Sequence, residues 1–85
     1  MTGEEMLHSA ARLMADRRKS YGDPAVSMAA ISARWSVTLG QPVTPAQVVL
    51  CLIDLKLARL VHDPAHLDSL RDIAGYTAVL REVVR

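Results

Sequence analysis

Helix-start signals constrain this chain more than any other feature, because they recur four times in 85 residues and leave little room for anything but helices. Asp23-Pro24, Thr44-Pro45 and Asp63-Pro64 each place a capping side chain directly before a proline. The cap accepts an otherwise unpaired first-turn amide, and the proline has no amide to leave unpaired. Thr2-Gly3-Glu4-Glu5 and Thr44-Pro45-Ala46-Gln47 are capping boxes, with Glu5 and Gln47 placed to reach back to the cap's own amide. Gly22 and Gly40 stand where left-handed caps would close the first two helices. These signals predict helices over roughly 3–20, 24–39, 45–62 and 64–84. No alternation of the strand kind competes with them. The expected fold is all-α, a four-helix bundle forming one domain over residues 1–85.

Apolar spacing agrees with this division. Met6, Leu7, Ala10, Leu13 and Met14 make one stripe, and Met28, Ile31, Trp35 and Leu39 another, each on one side of its helix. The third helix differs, since Val48-Val49-Leu50-Cys51-Leu52-Ile53 and the leucines that follow surround its axis. A helix that is apolar all round has to be covered all round. Three neighbours in a chain this short cannot do that, and a monomer of this length buries only about 60–65% of its unfolded surface. The pattern therefore predicts a homodimer about a two-fold axis.

Charge and cysteine usage narrow the function classes. Ten Lys and Arg balance nine Asp and Glu, for a net charge of +1, so no general affinity for nucleic acid is expected. No helix carries a basic face with base-reading residues, which disfavours a helix-turn-helix DNA-binding role. A lone cysteine, Cys51, excludes an internal disulfide and is expected to act as a small hydrophobe in a reducing cytosol. The first residues, MTGEEMLHSAA, are acidic where a secretory leader is basic, and the longest apolar run is too short to span a bilayer. A cytoplasmic protein with no membrane partner is expected.

The polar residues hold the candidate site. On the third helix Lys56 and Arg59 lie within roughly 60° of each other at about 100° per residue, forming one cationic edge, while Asp54 points about 160° away from Lys56. On the fourth, Asp68, Asp72 and Tyr76 follow at i, i+4 and i+8, stacking two carboxylates with a phenol behind them. Like charges at that spacing need an offset. Lys56, Arg59 or Arg71 could supply it, and so could a magnesium ion, which favours two carboxylates with water and phosphate oxygens. The structural alternative is an ion-pair network that locks the two helices, with Asp68 favoured by the helix dipole alone, and spacing by itself favours that alternative.

Between the first two helices, Arg17-Arg18-Lys19-Ser20-Tyr21-Gly22-Asp23-Pro24 offers cations and an aromatic ring. A basic last turn also suits a helix C-terminus with no ligand, the plainer account of Arg18 and Lys19. Tyr21 could stack on a base or plug the end of the bundle. His62 and His66 are four apart, but a helix start falls between them, which disfavours a zinc pair. There is no glycine-rich phosphate loop, no Ser-His-Asp set and no internal repeat. No catalytic residue is assigned.

The order Tyr21-Gly22-Asp23-Pro24, Trp35, Leu55-Lys56-Leu57-Ala58-Arg59 and His66-Leu67-Asp68-Ser69-Leu70-Arg71-Asp72-Ile73-Ala74-Gly75-Tyr76 resembles a family of short phage- and prophage-encoded proteins of unassigned function, from Tyr21 to Val83. More distantly, the K-x-x-R and D-x-x-x-D-x-x-x-Y elements resemble nucleotide-modification-associated domains and the MazG-like all-α nucleoside triphosphate pyrophosphohydrolases. That resemblance implies magnesium held by Asp68 and Asp72, phosphate contacts from Lys56 and Arg59, and Tyr21 or Tyr76 beside a base or sugar. The E-E-x-x-E helix that supplies most metal ligands in those enzymes has no counterpart here. A nucleotide-sized pocket is thus better supported than turnover. The leading expectation is a phage-type protein binding a nucleotide or another phosphate-bearing ligand, in a lapsed or weak pyrophosphohydrolase. The alternative is a protein-interaction or structural component of phage assembly or host takeover.

Overall fold

The structure, a computed structural model, describes residues 1–85 and contains four helices and no strand. They are α1 (Gly3–Tyr21), α2 (Pro24–Leu39), α3 (Pro45–His62) and α4 (Leu67–Val84). Three of the four start signals work as the sequence implies. Both capping boxes close reciprocally: the Glu5 amide donates to Thr2 Oγ1 and the Gln47 amide to Thr44 Oγ1, each at 3.1 Å. The Asp23 carboxylate accepts from the Ala25 amide at 2.9 Å.

The fourth signal is read differently, which corrects the expected start at residue 64. Asp63 closes α3, its amide donating to the Arg59 carbonyl at 2.9 Å, and its carboxylate accepts from the Ala65 amide at 3.1 Å. A turn over 63–66 follows, and His66 caps α4 by accepting the Ser69 amide on Nδ1 at 3.3 Å. An aspartate ahead of a proline serves a tight turn as well as a helix cap, because its short side chain reaches the amide two residues on in either setting.

The glycine closures divide too. Gly40 is left-handed (φ 70°, ψ 24°) with paired bonds from Gly40 and Gln41 back to Val37 and Ser36, the Schellman arrangement. Ser36 secures the following loop by accepting the Val43 amide at 2.9 Å. Gly22, expected to be left-handed, has φ 81° and ψ −157°, a region open essentially only to glycine, and lets the chain turn from α1 into α2 through Gly22 and Asp23.

The most extensively packed helix is α4 rather than α3, and neither is covered all round. α4 packs on all three others, most extensively on α3, whereas α3 touches α4 and α2 and has no contact with α1. Small residues allow this: Ser69, Ala74 and Ala78 keep the surface of α4 low, so neighbours approach from several sides. On α3 only Val48 and Val49 are buried, and Leu50, Cys51, Leu55, Leu57 and Val61 are exposed. Cys51 is therefore not the packed hydrophobe that the sequence suggested. At the edges of their stripes, Leu7 and Leu39 are exposed as well.

The core is correspondingly thin. Ala10, Val48, Val49 and Val79 are its buried apolar residues, joined by Ser9, Ser32 and Ser69, whose hydroxyls are all hydrogen-bonded. No helix is long and apolar enough to cross a membrane.

Candidate functional site

α1 and α2 follow one another closely in sequence yet barely touch. Between them, floored by α4, lies a cleft of about 680 Å³, within the usual 300–1,000 Å³ range of small-molecule sites. Leu13 and Met14 of α1, Met28 and Ile31 of α2 and Val79 of α4 form its apolar walls. Gly75 is part of the floor, and a Cβ added there would meet no atom within 4 Å. A glycine inside a helix costs about 0.5–1 kcal/mol against alanine, and no packing neighbour requires it here. It leaves depth in the cleft.

Four cationic side chains line the same cleft, Arg17 and Arg18 from α1, Lys56 from α3 and Arg71 from α4, against a single carboxylate, Asp72. Asp72 Oδ2 lies 3.2 Å from Lys56 Nζ, both side chains being more than four-fifths buried, and Asp72 Oδ1 lies 3.8 Å from Arg17 Nη2. Arg18 turns to Glu82, 2.6 Å away. Arg71 donates from Nη1 to Ser9 Oγ at 3.1 Å and from Nη2 to Asp68. Its Nε is buried with no hydrogen-bond partner. A buried donor left unpaired costs about 1–3 kcal/mol.

The six residues singled out in the sequence separate into two groups. Tyr21, Lys56, Asp72 and Tyr76 all line the cleft. Tyr21 is three-quarters exposed at its lip, and Tyr76 is half-buried in its wall. Arg59 and Asp68 lie outside it. The expected cationic edge of Lys56 and Arg59 is split, because roughly 60° of helix rotation straddles the border of the packed face. Lys56 is drawn in to Asp72, while Arg59 opens onto a smaller cleft beside His62 and His66 and forms no ion pair. The stacked pair of Asp68 and Asp72 is split as well. Asp68 is 70% exposed and pairs with Arg71 on its own helix, so the two carboxylates serve different cations. Asp54 is exposed and forms no ion pair. No cluster of three His, Cys, Asp or Glu side chains is placed to hold a metal ion.

Arg17 is the site member to which spacing gave no role, and Arg71 was expected only as a counter-charge for the carboxylates, a part it plays toward Asp68. A signal for Arg17 exists in the sequence: Ala10, Met14, Arg17 and Tyr21 follow at four, three and four residues, so the apolar stripe of α1 runs on into a cation and a ring on the same face. Arg71 has no such mark, since its reach across to Ser9 depends on how α1 lies against α4.

Fold and cleft together define a small four-helix protein with an apolar-backed, cation-ringed pocket. The chain belongs to the family described as a domain of unknown function, DUF6378, whose profile matches residues 5–84. It is 32% identical over 83 residues to the Gene 55 protein of Mycobacterium phage L5, covering 96% of this chain and 49% of that one. To the Gene 55 protein of Mycobacterium phage D29 it is 31% identical over 81 residues, covering 94% and 54%. The chain thus spans about half the length of the curated relatives it matches. No solved structure matches it. A phage-type family of unassigned function, which the order of motifs resembled, is what these relatives show.

Proposed function

We propose that the cleft between α1, α2 and α4 binds a nucleotide or a related phosphate-bearing small molecule. The observation that carries this reading is the convergence of Arg17, Arg18, Lys56 and Arg71 on one apolar-backed cleft whose only lining carboxylate is Asp72. One further feature supports it: the empty space above Gly75 gives a ring system somewhere to sit, with Tyr21 and Tyr76 at its sides. A phosphate oxygen would replace the Asp72 carboxylate between Lys56 and Arg17, or would join it through magnesium. Magnesium suits the second arrangement, because it accepts one or two carboxylates together with phosphate oxygens and water. Asp72 would take that role. Asp68 would have to leave Arg71 to take part.

The reading is one of binding. Hydrolysis between phosphates in the manner of the MazG-like enzymes needs a water that is both held and deprotonated, and one carboxylate in the cleft supports that poorly.

A thermal-shift panel of nucleoside mono-, di- and triphosphates, each with and without magnesium, tests this reading. A ligand at 100 times its Kd stabilises by about 2.7 kcal/mol, which in a domain of this size raises the midpoint by about ten degrees or more. The shift should vanish in Lys56→Met and persist in Arg59→Ala. A flat panel for the unaltered protein would overturn the proposal and make a protein partner the leading account.

A further inference from the structure

Surface area and helix packing carry an inference about a face of the molecule away from the cleft. A folded monomer of 9.3 kDa is expected to expose about 5,000 Å², and this chain exposes 5,846 Å². The excess is roughly 850 Å², close to the 800 Å² or so that each partner buries in a standard stable interface. The radius of gyration points the same way, at 13.6 Å against about 12 Å for a compact chain of this length.

More of the exposed large apolar side chains are on α3 than on any other helix. Leu50, Leu57 and Val61 are 49%, 46% and 87% exposed, and with Asp54 they follow at intervals of four, three and four residues. That is the spacing of a seam between two packed helices. Leu55, Cys51 and Ala58 extend the exposed apolar surface around the helix. A second stripe of the same spacing lies on α2, where Val26, Ala30, Ala33 and Val37 carry no charge but have smaller side chains than Leu50 and Leu57 at the corresponding first and third positions.

We infer that the outer face of α3, centred on Leu57, is the interface of a homodimer, and that its occupant is α3 of a second copy. The excess area is enough for one side of a stable dimer interface. A self-complementary apolar stripe broken by one acid is suited to an isologous pairing, in which each copy presents the same patch. Lys56 faces Asp72 on the inner side of the same helix, so both the seam and the cleft depend on the placement of α3.

Sedimentation velocity on the intact chain tests this, using the unaltered protein, Leu57→Glu, Val61→Glu and, on the rival stripe, Val37→Glu. The unaltered protein and Val37→Glu should sediment at twice the chain mass. Leu57→Glu and Val61→Glu should fall to the monomer mass with helical circular dichroism retained, since Val61 is too exposed for a charge there to disturb the fold of one chain. A monomer mass for the unaltered protein throughout the micromolar range would overturn the inference. So would dissociation by Val37→Glu with Leu57→Glu and Val61→Glu still dimeric, which would put the interface on α2. None of these masses bears on ligand binding in the cleft.

Discussion

Lys56 and Asp72 form the one ion pair in this molecule whose partners are both largely withdrawn from water. Exposed pairs contribute about 0–1 kcal/mol, and breaking a fully buried one by removing one partner costs about 3–5 kcal/mol. Lys56→Ala should fall between these, losing about 1–2 kcal/mol in urea denaturation. The double variant Lys56→Met/Asp72→Leu should recover most of that loss, because two apolar side chains remove the unpaired charge, yet it should not regain any nucleotide-induced thermal shift. Gly75 separates stability from binding in a second way. Gly75→Ala should stabilise by up to about 1 kcal/mol, since alanine is the better helix former and nothing obstructs its Cβ. Gly75→Leu should fill the floor of the cleft and abolish the thermal shift while the helices persist. At this scale the sequence showed which residues carry charge and rings but not whom they meet. Lys56 and Arg59 look equivalent in a helical projection, and only the position of α4 makes one an inward partner and the other a surface cation.

Helix boundaries were legible because their signals are local. Thr44 accepts an amide three residues away, and that bond forms whatever the rest of the chain does. Thr44→Ala should therefore cost about 1 kcal/mol, the usual worth of such a cap, measured as a lower urea midpoint with an unchanged slope. The failures at this scale are also local. Asp63-Pro64 suits a turn as well as a helix start, and only the His66–Ser69 bonds decide between them. Which helix would be central was not legible, because counting apolar residues on α3 ignores the small residues that let α4 accept three neighbours. On the exposed stripe of α3, Asp54 is the one charge. Asp54→Leu should tighten self-association, read as a dimer persisting at greater dilution, because it replaces a charge in an apolar seam.

Across the whole molecule the thin core, the open shape and the apolar outer face of α3 are the grounds for the inferred dimer. Its thermal midpoint should rise with protein concentration, as folding linked to dimerisation requires, and the rise should disappear in Leu57→Glu. The cleft has a different origin. It exists because α1 and α2 splay apart after the Gly22 turn, and its lining combines one helix face from each of three elements with Lys56 from the fourth. No single segment of sequence displays that combination, although Tyr21, Lys56, Asp72 and Tyr76 could each be picked out one at a time.

The central claim is that this cleft takes a phosphate-bearing ligand, and the most direct measurement is a titration of the isotopically labelled protein with nucleotide and magnesium, followed by amide chemical shifts. Saturable shifts should concentrate at Arg17, Tyr21, Ile31, Lys56, Arg71, Gly75 and Tyr76 and leave His62 and His66 unmoved. An unchanged spectrum at millimolar nucleotide, or shifts confined to the Arg59 end of α3, would contradict that claim.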